Sequence, residues 1–136
     1  MSRVFLDTSG LIAVINTDDH WHARAEIVWH QLVASANLLL TSSLVLIELA
    51  DGLSRVHHRG LAIRLVESLQ ASQRVEIVRV DERLEQLGWQ LFRDRADKEW
   101  GMTDCVSLAI MGDRQIYDAF TADHHFEQAG FNVLLK

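Results

Sequence analysis

Short apolar runs alternate with longer helical patterns along this chain, and this alternation restricts the fold more than any other feature of the sequence. Strands separated by helices predict a parallel sheet covered on both faces, a three-layer α/β/α domain with a central parallel sheet of about five strands. The predicted strands are Val4–Leu6, Leu38–Thr41, Val75–Val80, Ile116–Thr121 and Phe131–Leu134. The predicted helices are Thr8–Asn16, His20–Ala36, Ser43–His58, Gly60–Gln70, Asp81–Ala96, Thr103–Gly112 and His124–Ala129, with a Ser cap opening the third and Thr103 capping the sixth.

The size and composition of the chain fit one domain over residues 1–136, with hydrophobic residues making up 49% of it. No stretch approaches the ~20 apolar residues that a membrane span needs. The single cysteine, Cys105, excludes an internal disulfide, and we expect it to be a small core residue. The N-terminal apolar run is too short for a signal peptide. These features predict a cytoplasmic protein.

Four carboxylates are expected to meet at one edge of this sheet, where the strands have their carboxyl ends. Asp7 follows the first strand and Asp123 follows the fourth. Glu48 lies in the second turn of the helix that leaves the second strand. Asp104 begins the helix that leads into the fourth strand, and a helix feeding a parallel strand starts at that same edge. The sequence therefore predicts a ring of four acids.

Three of the four acids have an equally simple structural explanation, and only Glu48 resists one. Asp7 and Asp123 are positioned to cap the helices that follow them, and Asp104 is positioned to favour its own helix dipole. Glu48 is harder to explain in this way, because it interrupts the apolar run from Leu44 to Ala50. A buried helix carrying an unpaired charge would be costly, so we expect Glu48 to have a partner such as a metal ion.

A ring of carboxylates persists at neutral pH when cations neutralise it, because like charges a few ångström apart raise one another's pKa. Oxygen ligands without Cys or His between them favour Mg²⁺ or Mn²⁺ over zinc. Such ions activate water and stabilise the leaving oxygen of an in-line displacement. The predicted reaction is phosphodiester hydrolysis.

Four stretches of the sequence carry a family resemblance that covers nearly the whole chain. They are Phe5–Ser9, Ser42–Leu49, Met102–Cys105 and Phe120–Phe126. In this order and spacing the chain resembles the PIN-domain family and, within it, the VapC-like toxins of bacterial toxin–antitoxin pairs. The resemblance implies a PIN-like fold, Mg²⁺- or Mn²⁺-dependent endoribonuclease activity on RNA, a homodimer and inhibition by a cognate antitoxin protein.

The resemblance also implies roles for individual residues. Asp7, Glu48 and Asp104 match the three core acids, which would be catalytic and hold the metal, and Asp123 matches a more variable fourth acid. Hydroxyl groups that assist the metal or the phosphate in similar proteins are matched by Thr8, Ser9 and Thr121.

The net charge of −6 is unusual for a protein that binds nucleic acid, since phosphates are neutralised by Lys and Arg. Basic residues are nevertheless concentrated between Arg55 and Arg64, where no acid occurs. Arg55 and Arg59 are the candidate contacts to the substrate. On charge alone, the simpler interpretation of this segment is a solvated helix end.

Several other residues could bind a metal or the substrate, but we favour a structural role for each of them. The segment Asp18–His22 is rich in possible ligands but is predicted to be a surface loop. We expect His124 and His125 to be exposed beside a helix cap, and Trp100 to pack an irregular loop rather than stack on a base.

Two rival functions are weighed against the nuclease. A non-catalytic PIN-like module that binds RNA or protein stays open, although a scaffold has no reason to tolerate clustered acids. A phosphatase with Asp7 as nucleophile is disfavoured, because such enzymes carry a second Asp where this chain has Ser9.

Overall fold

The structure, a computed structural model, describes residues 2–136 and contains a five-stranded, all-parallel sheet in the order β3-β2-β1-β4-β5. The strands are β1 (Arg3–Leu6), β2 (Leu38–Ser42), β3 (Val75–Val78), β4 (Asp118–Phe120) and β5 (Asn132–Val133). The helices are α1 (Thr8–Ile15), α2 (His22–Ala34), α3 (Ser43–Gly52), α4 (Val56–Ala71), α5 (Glu82–Asp94), α6 (Met102–Arg114) and α7 (His124–Gln128). The predicted α/β/α class with about five strands is confirmed.

The central strand shows why the sheet is covered on both sides. Val4, Phe5 and Leu6 of β1 are all buried, although neighbouring strand residues point to opposite faces. A parallel sheet with helices on each face requires this continuous apolar run. β1 pairs with β2 and β4, which brings the carboxyl ends of all three strands to one edge.

Side-chain caps start several helices at that edge. Asp7, Ser42 and Asp123 each accept a hydrogen bond from a backbone N–H in the first turn of the helix that follows. Ser42 is the last residue of β2, Asp7 directly follows β1, and Asp123 lies three residues after β4. The chain therefore turns back sharply where parallel strands end, and the side chains at these turns are held close to the sheet.

The structure corrects two helix boundaries. The helix predicted over Ser43–His58 ends at Gly52, and α4 begins at Val56 rather than at Gly60. Leu53 is the C-cap at this break, where its backbone N–H still donates to the Leu49 carbonyl and its side chain is buried in the core, 2% exposed. The predicted cap at Thr103 is also wrong, because the N-cap is Gly101, two residues earlier, and the helix begins at Met102.

Among residues 2–136, no helix is long and apolar enough to cross a bilayer. Cys105 is fully buried, as expected for a core residue. The cytoplasmic location stays a prediction.

Candidate active site

Asp7 is the most deeply buried acid of the candidate site, with 3% of its surface exposed. It follows β1 and caps α1, and its backbone N–H donates to the Phe120 carbonyl of β4 at 3.2 Å. On α1, Gly10 lies against that same carbonyl, where a Cβ atom would collide with it. The absence of a side chain at Gly10 therefore lets α1 approach β4 closely enough to place Asp7 beside the residues that follow β4.

Two hydroxyl groups hold the Asp7 carboxylate in place. Thr121 Oγ1 donates to Asp7 Oδ2 at 2.7 Å, and Ser9 Oγ lies 3.1 Å from the same oxygen. Because Thr121 uses its only proton in this way, Ser9 is the donor in the 2.7 Å contact between the two hydroxyls. Ser9 Oγ in turn accepts from the N–H of Ala122 at 3.2 Å. The network fixes one carboxylate oxygen and connects the ends of β1 and β4.

Asp104 and Asp123 lie on the other side of the cluster, and His125 bridges them. His125 Nδ1 is 3.0 Å from Asp104 Oδ2 and 3.3 Å from Asp123 Oδ1. Asp104 also accepts from the N–H of Gly101 at 3.2 Å, so this acid caps its helix from the third helical position. Asp123 accepts from the backbone N–H of His125 at 2.9 Å.

Burial and mutual repulsion set the electrostatics of the acids. Burial, opposed by the hydrogen bond from Thr121 and reinforced by the charges of Asp104 and Asp123, raises the pKa of Asp7 to about 6. Burial also raises the pKa of Asp104, while the hydrogen bond from His125 opposes the rise and the charge of Asp123 adds to it. The charges of these three acids therefore affect one another's pKa, although the acids lie in distant parts of the sequence.

Glu48 lies in the second turn of α3, half-buried, in a helix that packs against α1 and α6. Within residues 2–136 its carboxylate has no hydrogen bond or ion pair, and the hydrogen-bond network of the other acids does not include it. The helix also differs from expectation, because Ile47 is 59% exposed and Ala50 is exposed. The prediction that Glu48 is stranded in a wholly buried helix is therefore wrong, and its convergence with the other acids stays a prediction.

The remaining predicted site residues fall into two groups. Thr8 lies near the cluster, and its buried Oγ1 has no hydrogen-bond partner among residues 2–136. Arg55 and Arg59 are exposed at the start of α4, and Arg59 donates to the carbonyl of Ser54. Arg59 lines a groove between α3 and α4 that contains none of the four acids. The structure thus places the hydroxyls with the acids, and Arg59 in a separate groove.

His125 is the residue that sequence reasoning missed. We expected both histidines to be exposed, and this holds for His124, whose side chain is 63% exposed. The side chain of His125 is only 18% exposed, because α7 turns it towards α6. With Asp123, the two histidines place ligand atoms within 4.8 Å of one another, a geometry able to hold a metal ion. No signal in the sequence indicates that α6 and α7 meet there.

Trp100 behaves as predicted. It is 5% exposed, its indole N–H donates to Gln128 at 2.9 Å, and the guanidinium of Arg95 covers the ring. It therefore packs the loop before α6 and offers no open face to a base.

A family model for the PIN domain matches residues 4–132 of the chain. The chain belongs to the PIN-domain family. A relative from Mycobacterium tuberculosis, described as the 23S rRNA-specific endonuclease VapC20, is 31% identical over 129 residues, covering 94% of this chain and 95% of the relative. The PIN-domain resemblance expected from the sequence is thus confirmed.

Solved structures agree with this membership. The crystal structure of VapC20 from Mycobacterium tuberculosis, titled a sarcin-ricin loop cleaving toxin, superimposes with a TM-score of 0.84 at 27% identity, covering 94% of this chain and 95% of that one. The structure of VapBC2 from Rickettsia felis, bound to a DNA fragment from their promoter, gives a TM-score of 0.70 at 16% identity, covering 96% of each chain. The second likeness concerns the fold alone.

Proposed function

We propose that this PIN-domain protein is a metal-dependent endoribonuclease that hydrolyses RNA phosphodiester bonds, with residues 1–136 acting as one nuclease domain. The observation that carries the proposal is the meeting of Asp7, Asp104 and Asp123 at the carboxyl edge of the sheet. Asp7 is 3% exposed there and has no lysine or arginine partner in the part of the chain that the structure describes. Clustered acids without a cationic side chain are what a divalent cation requires.

The donor set fits Mg²⁺ or Mn²⁺ better than zinc, since the core ligands offered are carboxylate oxygens. When bound, such an ion activates water and stabilises the leaving oxygen of the phosphodiester. We propose Asp7, Asp104, Asp123 and Glu48 as the residues that hold it. The half-buried carboxylate of Glu48 has no partner within residues 2–136 and remains available for this role.

The protein's own residues supply orientation. The Thr121 hydroxyl and the backbone N–H of Ser9 donate to one oxygen of Asp7, and the Gly101 N–H and His125 Nδ1 donate to one oxygen of Asp104. Asp7 and Asp104 thus each present, within residues 2–136, one oxygen without a hydrogen-bond partner. Carboxylates held by neighbouring donors keep the geometry that a metal ligand needs.

A toxin role with an antitoxin partner and a homodimer is part of this proposal. It is supported by the 31% identity to a VapC20 endonuclease and by an apolar groove between α3 and α4. The groove has a volume of about 490 Å³ and includes Ile47 and Ile63, which are 59% and 54% exposed. Exposed apolar surface of this kind is typical of protein–protein contact.

The test of the activity is cleavage of RNA by the purified protein with Mn²⁺, with Mg²⁺ and with EDTA. Ribosomal RNA is the first substrate to use, because the VapC20 relative is described as specific for 23S rRNA. We expect metal-dependent cleavage by the unmodified protein and loss of at least about 100-fold in Asp7→Asn and Asp104→Asn, since each removes one charged ligand. Undiminished cleavage by either variant, or cleavage in EDTA, would refute the mechanism.

A matched control lies on the same helix as Asp104. Asp113 is near the far end of α6, where it pairs with Arg83 on the surface. Asp113→Asn removes the same charge and disturbs only an exposed ion pair, so we expect its cleavage rate to be unchanged. If the unmodified protein bound RNA and cut it with neither metal, the non-catalytic PIN-like binding module would be the better description.

A further inference from the structure

A cleft opens directly beside the acid cluster, and the proposed mechanism does not use it. Its volume is about 360 Å³, within the range of roughly 300–1,000 Å³ that ligand sites occupy. It is lined by Ser9, Ile12, Asp19, Trp21, Ala122 and Asp123. Ser9 and Asp123 also belong to the acid cluster, so whatever fills the cleft lies next to the reacting phosphate.

Trp21 provides the aromatic surface of this cleft. The residue is half-buried, packed partly against the core, and its backbone N–H donates to Asp19 Oδ1 at 2.8 Å. His20 meets the indole edge-on, with ring centroids 5.1 Å apart and planes 87° apart. The ring is therefore fixed before any ligand arrives. Its indole N–H donates to no residue in the range 2–136.

The charges of the cleft decide which part of a nucleotide it accepts. Its lining contains the carboxylates of Asp19 and Asp123 and no lysine or arginine. Such a surface repels phosphate, whereas a nucleobase is uncharged and can stack on an aromatic ring. The apolar side of Ile12 and the indole of Trp21 together suit a flat, neutral ligand.

We propose that this cleft binds one unpaired nucleobase of the RNA substrate, stacked on Trp21, next to the phosphodiester that the acids cut. The inference rests on the proposed nuclease function and adds the base subsite to it. Because a base inside a duplex cannot reach the cleft, the site selects single-stranded or looped RNA. Trp21 is a substrate-binding residue in this proposal, since it contacts the base while the acids carry out the hydrolysis.

The experiment measures binding in the Asp104→Asn background with Mg²⁺, using a short mixed-sequence single-stranded RNA as the probe. We expect Trp21→Ala to weaken binding about 5- to 150-fold, the range found when an aromatic stacking partner is replaced by alanine. Trp21→Phe, which keeps a ring, should retain most of the affinity. An abasic oligonucleotide of the same length should bind equally with and without the Trp21→Ala change.

Tyr117 supplies the matched control, because it is an exposed aromatic residue, 64% accessible, at the opposite edge of the sheet before β4. Tyr117→Ala should leave RNA affinity unchanged. Equal RNA affinity with and without Trp21, or an equal loss for the abasic probe, would overturn the inference, as would identical behaviour of Trp21→Phe and Trp21→Ala.

Cleavage assays separate this inference from the proposed function. If the protein cuts RNA with Mn²⁺, Asp104→Asn does not, and Trp21→Ala cuts with an unchanged KM, only the base subsite is refuted. If no metal supports cleavage but Trp21→Ala still weakens base-dependent binding, the nuclease function is refuted and the base subsite stands.

Discussion

The imidazole of His125 donates from Nδ1 to Oδ2 of Asp104 over 3.0 Å, which joins the short helix α7 to the first turn of α6. An ionised carboxylate can only accept, so the proton of this hydrogen bond resides on the His125 nitrogen. The same nitrogen lies 3.3 Å from Asp123. One imidazole thus links two acids that would otherwise repel each other.

Replacing His125 should therefore impair metal binding without unfolding the protein. We expect His125→Ala to lower cleavage about 10- to 100-fold at fixed Mn²⁺, the effect usual for residues that orient metal ligands. His125→Asn, whose amide nitrogen occupies the place of Nδ1, should recover part of the loss. The measurement is the cleavage rate as a function of Mn²⁺ concentration.

The control for this prediction is His30→Ala, which removes an exposed histidine from α2. Its cleavage rate should match that of the unmodified protein at every Mn²⁺ concentration. No loss in His125→Ala would mean that the bridge between Asp104 and Asp123 has no functional role. A full loss in His125→Asn would mean that the hydrogen bond from the Nδ1 position does not account for that role.

The raised pKa of Asp7 predicts how stability depends on pH without metal. The pKa is about 6 in the folded protein and 3.8 in an unperturbed aspartate. Between these values the folded state retains a proton that the unfolded state has released, so stability falls as pH rises from about 4 to above 6. Asp7→Asn cannot ionise and should escape this loss, gaining roughly 2–3 kcal/mol over the unmodified protein at pH 7.5.

Urea unfolding in EDTA at several pH values checks this prediction. The difference in unfolding free energy between Asp7→Asn and the unmodified protein should be near zero at pH 4 and grow as pH rises. A difference that does not change with pH would mean that the Asp7 carboxylate is not destabilised by its burial.

The fold was predictable because its signals are local. A buried parallel strand needs a continuous apolar run, as in Val4–Leu6, and a helix leaving it needs a cap such as Asp7. Helix breaks were less predictable, since neither Gly nor Pro marks the residues between the end of α3 at Gly52 and the start of α4 at Val56. Gly60 is a helix breaker by propensity, yet it sits inside α4, where packing outweighs the cost of about 1 kcal/mol.

Residues of the candidate site could be predicted only where the strand topology alone determines their position. The rule that parallel strands end at one edge places Asp7 and Asp123 together before any coordinates exist. The position of the His125 side chain depends on the angle at which α7 meets α6. The hydrophobic periodicity of the sequence does not predict that angle. For Glu48 the inference from an apolar run failed, because that run carries exposed Ile47 as well as core residues.

Divalent metal should stabilise the protein through its acids. A ligand that binds only the folded state adds about 2.7 kcal/mol at 100 times its dissociation constant, or roughly 8–10 °C in the unfolding midpoint of a domain of this size. We expect Mn²⁺ to produce such a rise at pH 7.5 in the unmodified protein and in Asp113→Asn. Asp7→Asn and Asp104→Asn should lose most of it.

Thermal unfolding with increasing Mn²⁺ measures this rise. An equal rise in Asp104→Asn and the unmodified protein would place the ion elsewhere on the molecule. The assay does not depend on RNA, so it tests the metal site even if the substrate is not the one supplied.

Gly10 and Gly112 form a pair of helical glycines for which alanine should have opposite effects. On α1, a Cβ at Gly10 would collide with the carbonyl of Phe120, so α1 would have to move away from β4. We expect Gly10→Ala to destabilise the protein by about 1–3 kcal/mol, as overpacking does, and to lower cleavage because the shift separates Asp7 from Thr121. On α6, a Cβ at Gly112 meets no atom of residues 2–136 within 4 Å, so Gly112→Ala should add about 0.5–1 kcal/mol through helix propensity alone. Urea unfolding and cleavage rates of the two variants provide the measurement, and a neutral Gly10→Ala would contradict the close approach of α1 to β4 on which the geometry of the acids depends.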